Sequence, residues 1–325
     1  MQLLTTTVAL LATATAALGK NILLTNDDGW QATNIRATYY KLKDAGHNVF
    51  LVAPVSQRSG YGGKFDIPTS PTLQTDGEFG YPAAGAPSWD HEADDDHIWY
   101  FNGTPASSVA FGLQYVIPKY GDNVSIDMVV AGPNQGLNSG SMFTLSGTIG
   151  ATYNAVYRGV PGVAFSGSNS NNSFFKDSLD LNDPLEPSTI YANLVVDFVQ
   201  QLFKAQGDNS RTLPLGVGLN VNLPKVGYQD ESCTAPGWVF SRFTGEYASG
   251  ADLVYNETSN SFVWNDDGKF PGMAVCNNGD CSLQSEDFVI DDLKCKTSVS
   301  AFSVDYDANL GLTNQVEGLL APLFG

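Results

Sequence analysis

Short, continuously apolar runs recur through the first half of the chain: "NILLT" at 21–25, "NVFLVAP" at 48–54, "IDMVVAG" at 126–132 and "GVAFS" at 162–166. A strand that is apolar on both faces must be covered on both faces, which a one-sided antiparallel sheet does not provide. Segments with helical spacing lie between the runs. "NIRATYYKLKDAGH" (34–47) puts Ile35, Tyr39 and Leu42 on one face and stops at Gly46. "TPASSVAFGLQYV" (104–116) opens with Thr104 as cap and Pro105 in its first turn. "SGTIGATYNAVYRG" (146–159) and "PSTIYANLVVDFVQQLFKAQ" (187–206) supply two further helices, and "IWYF" (98–101) another strand. Apolar strands alternating with amphipathic helices predict an α/β fold, a Rossmann-like three-layer sandwich with a mostly parallel sheet.

Two stretches break the alternation. Residues 76–96, "DGEFGYPAAGAPSWDHEADDD", are rich in Gly, Pro and acid and read as an exposed insertion. Residues 230–295 hold all four cysteines, Cys233, Cys276, Cys281 and Cys295, among turn-rich short strands. They read as a β-rich insertion stapled by disulfides. Of the three pairings, Cys276 with Cys281 across "CNNGDC" and Cys233 with Cys295 is favoured, although spacing alone does not fix connectivity. A zinc site is not expected, because His47, His91 and His97 lie far from the cysteines in sequence.

Residues 1–19, "MQLLTTTVALLATATAALG", read as a cleaved secretory signal, with small residues at Ala17 and Gly19 but no basic residue near Met1. Residues 20–325 then form one domain. Export agrees with the even cysteine count and with sequons at Asn102, Asn123, Asn171 and Asn256, the first weakened by Pro105. A net charge of −18 argues against docking on a nucleic-acid polymer or an anionic membrane surface. One locally positive or metal-loaded pocket still suffices for a small anionic substrate.

Ligands of open α/β sheets bind beyond the carboxyl ends of the strands. At the first such end stand Asp27 and Asp28, which repel one another unless a cation or a proton intervenes. Hard divalent ions such as Mg²⁺ or Mn²⁺ prefer oxygen donors of this kind. "NDDG" recurs at 265–268, where it reads as a hairpin turn, so the four letters carry weight only at the strand-to-helix junction. At the second end, "APVSQRSGYGG" offers Ser59 as a hydroxyl donor to a metal and Arg58 for a phosphate. At the third, "AGPNQGLNSGSMFTLSGTIGATYNA" offers Asn134 and Asn138 in a Gly-rich loop. It also carries Ser146, Gly147 and Thr148, whose backbone amides open a helix able to receive a phosphate. Capping by Ser146 or Thr148 is the structural alternative.

Taken together, these segments resemble the SurE survival-protein family of metal-dependent nucleotidases and acid phosphatases. "ILLTNDDGW" is similar to the family's N-terminal acidic motif, "VAPVSQRSG" to its Ser-bearing loop and "NGTPASSV" to its Gly-Thr-Pro helix start. "DMVVAGPNQGLNSG" and "LSGTIGAT" are similar to its Asn-bearing loop and the Ser-Gly-Thr that follows; "KTSVSAFSVDYD" faintly resembles its last core strand. The motif order matches over residues 20–166. The resemblance implies that Asp27, Asp28, Ser59 and Asn134 bind one divalent ion, Mg²⁺ or Mn²⁺, that Ser146, Gly147 and Thr148 lie near the phosphate, and that Asn138 and Thr104 line the same pocket. Ala131-Gly132-Pro133-Asn134 departs from the usual Ser-Gly-Ile-Asn, and Pro133 stiffens the loop. The signal and both insertions also depart from the compact cytoplasmic form. The second half of the family fold often supplies subunit contacts, so a homodimer is a further expectation.

The implied reaction is hydrolysis of a small phosphomonoester, such as a nucleoside monophosphate, with Asp27 and Asp28 at the catalytic centre and a divalent ion polarising the phosphoryl oxygen. A phosphoaspartyl intermediate ranks second, since both carboxylates are committed to the metal. No Gly-x-Ser-x-Gly elbow, Walker loop or Gly-x-Gly-x-x-Gly fingerprint supports another enzyme class, and no histidine stands out as a general acid. His47 reads as structural, His91 and His97 as solvated surface, and "DYD" at 305–307 as part of a strand end. The rival from another class is a secreted binding or surface protein that kept the fold without the chemistry.

Overall fold

The computed structural model describes residues 19–169, 172–243, 245, 253–264, 276, 279–305 and 307–323. Outside them lie nearly all of the predicted signal, the sequon at Asn171 and the second "NDDG" with its expected hairpin turn. The described elements run β1 (Asn21–Thr25), α1 (Thr33–Asp44), β2 (Asn48–Pro54), β3 (Trp89–Glu92), β4 (Asp95–Phe101), α2 (Pro105–Phe111), α3 (Ile117–Tyr120) and β5 (Met128–Gln135). They continue with α4 (Gly147–Tyr157), β6 (Gly162–Gly167), α5 (Phe175–Ser178), α6 (Pro187–Gln206), β7 (Val217–Leu223) and β8 (Gly237–Ser241). The last are β9 (Leu253–Asn256), β10 (Ser261–Trp264), α7 (Glu286–Asp291), β11 (Lys296–Ser303) and α8 (Leu310–Leu320).

Nine strands form one sheet in the order β3-β4-β2-β1-β5-β6-β7-β11-β8. The six from β4 to β7 are mutually parallel, β3 is an antiparallel edge, and β11 and β8 run together against β7. The apolar runs recognised in the sequence are the central strands, and their residues alternate between two cores. Ile22, Leu24, Leu51, Val130 and Phe165 pack under α1 and α6, through Ile35, Tyr39, Leu42, Tyr191 and Val195. Leu23, Val52, Val129 and Ala131 face the other way, against Val109, Ile117, Ala151 and Ala155 of α2, α3 and α4. Helices therefore cover both faces, which is why these strands carry no polar side. Among the described residues no helix is long and apolar enough to cross a membrane.

The stretches that broke the alternation are joined to this sheet rather than separate from it. The 76–96 segment is exposed at Ala84 and Gly85, yet its end is the edge strand β3, with Ser88 buried. In the 230–295 segment, β9 and β10 make a hairpin of their own, whereas β8 is an edge of the main sheet and α7 packs beside β11. Disulfides join Cys233 to Cys295 and Cys276 to Cys281, with Cα separations of 5.4 Å in each, an ordinary span for such a bond. Of the histidines, His97 is not simply solvated: its ring stacks on Phe50 with centroids 4.2 Å apart.

Candidate active site

The end of β1 explains why "NDDG" serves here as both turn and site. The Asn26 Nδ2 donates to the Gly29 carbonyl at 2.9 Å, and Gly29 takes φ +105°, a conformation that favours glycine. Asn26 and Gly29 thus make the turn, and the two aspartates between them are left free to project from it. Both are buried, Asp27 at 2% and Asp28 at 0% relative exposure.

Asp27 is met by the N-terminus of α4. The Thr148 hydroxyl donates to its Oδ1 at 2.6 Å, and the Gly147 and Thr148 backbone amides also face the carboxylate. Gly147 is required for this approach, because a Cβ there would lie 2.9 Å from both Cβ and Oδ2 of Asp27. The Ser146 Oγ accepts from the Ile149 amide at 3.1 Å and so caps the same helix. Burial raises the Asp27 pKa above its usual value, while the hydroxyl and amide donors pull it back. The helix amides expected to receive a phosphate are thus directed first at Asp27.

Asp28 is less well served. Its Oδ2 accepts from the Gln135 amide at 2.9 Å, and its Oδ1 is buried without a hydrogen-bond partner. Burial first, and then the neighbouring charge of Asp27, hold its carboxyl well above the ordinary range. The Gln135 and Gln57 donors offset part of this, and the nearby charge of Glu78 adds to it.

Asn134 precedes Gln135 at the end of β5. Its Nδ2 donates to the carbonyls of Gly136 at 2.7 Å and Gln135 at 3.3 Å, which fixes the amide and leaves its buried Oδ1 unpartnered. Gly132, at φ +105°, lets β5 pass tightly beside the Phe165 carbonyl before a cis peptide to Pro133. Ser59 is exposed on the next loop, which the Arg58 amide pins to the Asp27 carbonyl at 2.6 Å. The Arg58 guanidinium reaches the Gly103 carbonyl at 3.3 Å and the Asn102 Oδ1 at 3.4 Å.

Two predicted pocket residues have their side chains occupied elsewhere. The Thr104 Oγ1 accepts from the Asp66 amide at 3.1 Å and joins Ser107 in a capping box on α2. The Asn138 Nδ2 donates to the Ser166 Oγ at 2.8 Å. Sequence reading missed what holds the Asn138 loop. The Asn222 Oδ1 accepts the Asn138 amide at 2.8 Å, and the Asn220 Nδ2 donates to the Asn138 carbonyl at 2.8 Å and to Glu286 Oε1 at 2.9 Å. The available signal was two asparagines at alternate positions in an otherwise apolar "VGLNVNL". Gln57 and Asn172, which donates to the Asp28 carbonyl at 3.0 Å, carried no signal.

The residues at this centre fit a hard divalent cation. Neither aspartate takes part in an ion pair among the described residues, and the Oδ1 atoms of Asp28 and Asn134 are buried acceptors lacking a donor. Such orphans are rare in folded proteins and ask for a cause. Among the described residues no three His, Cys, Asp or Glu side chains converge to hold a metal, so an ion here would draw on neutral oxygens as well.

A family profile described as "Survival protein SurE" matches residues 22–244. An acid phosphatase of Yarrowia lipolytica is 44% identical over 301 residues, covering 92% of this chain and 83% of that protein. A 5'-nucleotidase SurE of Lawsonia intracellularis is 30% identical over 208 residues, covering 63% of this chain and 66% of its own. The crystal structure of a SurE protein from Aquifex aeolicus superposes with a TM-score of 0.62 at 23% identity, covering 92% of this chain and 99% of that one, which speaks to the fold. The fold, the profile over most of the chain and the relative matched almost end to end agree, and the chain belongs to the SurE survival-protein family.

Proposed function

We propose that the chain is a divalent-metal-dependent phosphomonoesterase of small phosphate esters, nucleoside monophosphates among them. The similarity to an acid phosphatase and to 5'-nucleotidases supports the reaction class. The observation that carries the reading is the pair of acceptors, Asp28 Oδ1 and Asn134 Oδ1, that find no donor among the described residues, beside a second buried carboxylate that makes no ion pair among them. Asp27, Asp28, Asn134 and Ser59 would hold one ion, Mg²⁺ or Mn²⁺. That ion supplies Lewis-acid charge to a phosphoryl oxygen.

The protein residues do the rest. Thr148 and the α4 amides hold the Asp27 carboxyl in one orientation and offset part of the rise that burial imposes on its pKa. Gln135 and Gln57 donate to Asp28, whose carboxyl burial and Asp27 still hold well above its ordinary range. Arg58, whose amide binds the Asp27 carbonyl, makes no ion pair with a carboxylate among the described residues, and neutral oxygens hold its guanidinium at 3.2–3.4 Å, long bonds that an anionic substrate can replace. Burial of both aspartates keeps bulk water from screening the charge that binds substrate. Two disulfides agree with the exported location read from the N-terminus, and a homodimer belongs to the same reading.

Phosphate release from nucleoside monophosphates and p-nitrophenyl phosphate, with Mg²⁺ or Mn²⁺ and again with chelator, tests the proposal. Turnover abolished by chelation and restored by metal supports it. Turnover indifferent to chelation, or tight phosphate binding without turnover, overturns it and favours a binding protein.

A further inference from the structure

The 76–96 segment, read from sequence as an exposed insertion, delivers an aromatic ring to the edge of the acidic centre. Its turn lies over the β1 turn. The Glu78 amide donates to the Val55 carbonyl at 3.0 Å, the Gln57 amide donates to Glu78 Oε2 at 3.1 Å, and the charge of Glu78 reaches Asp28. Gln31, three residues after Asp28, ties the segment down: its Nε2 reaches the carbonyls of Val55, Glu78 and Tyr81 at 2.8–3.0 Å.

On that turn Phe79 takes φ +57° and ψ +20°, left-handed backbone that a bulky side chain rarely adopts and that surrounding structure must enforce. The Phe79 ring is 39% exposed and stacks on Phe174, with centroids 5.6 Å apart and planes 25° apart. Phe174 comes from a different loop, two residues after Asn172, whose side-chain amide donates to the Asp28 carbonyl at 3.0 Å. Behind them, Tyr81 lies 5.8 Å from Phe174 and stacks on the buried Trp30 at 5.2 Å. Lys176 sits 4.0 Å from the Tyr81 ring centroid. Phe79 is therefore the solvent-facing end of an aromatic row that starts in the core at Trp30, next to the residues that carry the chemistry.

We propose that the Phe79–Phe174 pair is the binding wall for a planar aromatic ring carried by the leaving alcohol, the base of a nucleoside or the ring of a phenol, while the ester's phosphate occupies the acidic centre. The inference rests on the phosphomonoesterase reading. An aromatic ring held with one face supported and its remaining surface open is suited to stack any planar group, without regard to that group's hydrogen-bonding pattern. The wall thus selects for flatness rather than for a particular base.

The metal-loaded full chain provides the test. For wild type, Phe79→Ala, Phe79→Trp and Phe174→Leu, kcat/KM is measured on p-nitrophenyl phosphate, a purine nucleoside monophosphate and the aliphatic ester glycerol 2-phosphate. The preference for the two aromatic esters over the aliphatic one should fall about tenfold in F79A and F174L, mainly through KM, and be kept in F79W. A preference unchanged in both truncated variants, or an equal loss on all three esters, overturns the wall. Should wild type hydrolyse none of them, the phosphomonoesterase reading falls. Calorimetric titration with phenylphosphonate against methylphosphonate then decides the wall: tighter phenyl binding that F79A abolishes supports it, and equal binding refutes it.

Discussion

Asp28, in the turn after β1, and Asn134, on the neighbouring strand β5, each keep a buried Oδ1 with no hydrogen-bond donor among the described residues, and the residue after Asn134 binds the other oxygen of Asp28 at 2.9 Å. The arrangement is unfavourable without a cation and favourable with one, so metal and stability should be linked.

Asp28→Asn should lower metal-dependent turnover by at least about a hundredfold, because a site built on two carboxylates loses half its charge. The same change should raise the stability of the metal-free protein by on the order of 1 kcal/mol, since it removes a repelled, desolvated carboxyl. Calorimetric metal titration and denaturant unfolding with chelator check the two effects; full turnover in the variant would remove Asp28 from the centre.

Thr148→Val should move the acid side of the pH–activity profile upward. The hydroxyl bond at 2.6 Å lowers the Asp27 pKa, so its loss lets burial raise that pKa further and metal affinity fail at a higher pH. A kcat/KM profile measured across the acid range reads the shift, with a fall of about tenfold expected at its lower end. An unmoved profile would mean that Thr148 only packs.

Glu286 should make the protein less stable as pH rises. Burial raises its pKa from 4.5 to about 8, so the folded state binds a proton across that interval that the unfolded state releases. Stability contributed by this group is complete below pH 4.5 and is lost as pH climbs toward 8. In Glu286→Gln this slope should flatten. Chemical denaturation at a series of pH values compares the two, and parallel curves would contradict the assignment.

Replacing both Cys233 and Cys295 by serine should cost about 4 kcal/mol, the loop-closure value for their separation of 62 residues. The Cys276–Cys281 bond, with a separation of 5, should cost about 2 kcal/mol by the same relation. Urea unfolding of each double variant measures the difference; a larger loss from the short loop would show that native packing dominates.

The parallel core was legible because β1, β2, β5 and β6 are buried on both faces and so carry uninterrupted apolar runs. The helix at 187–206 was legible for the complementary reason: it keeps one apolar stripe. Strand β7 was not recognised, since Asn220 and Asn222 break its apolar pattern, and their reason for being there is the distant Asn138 loop. At the site, Asp27 and Asp28 stood out through their place after a strand. Gln57, Glu78 and Asn172 did not, because their roles arise from contacts across the fold. The 76–96 segment has the composition of a loop, and only tertiary pairing makes its end a strand.

The Cys233–Cys295 bond joins the points at which two neighbouring strands enter the sheet: Gly237 of β8 lies opposite Lys296 of β11, and its amide donates to the Cys295 carbonyl at 3.1 Å. Oxidation therefore does more than staple a loop, for it decides where the sheet stops. In a reducing cytosol β8 would be held only by its backbone pairing with β11, and wherever that pairing opened β11 would become a bare edge open to pairing with other chains. Produced there, the protein should accumulate as aggregates while its acidic centre, at the ends of β1 and β5 three to four strands away from that edge, keeps all its residues.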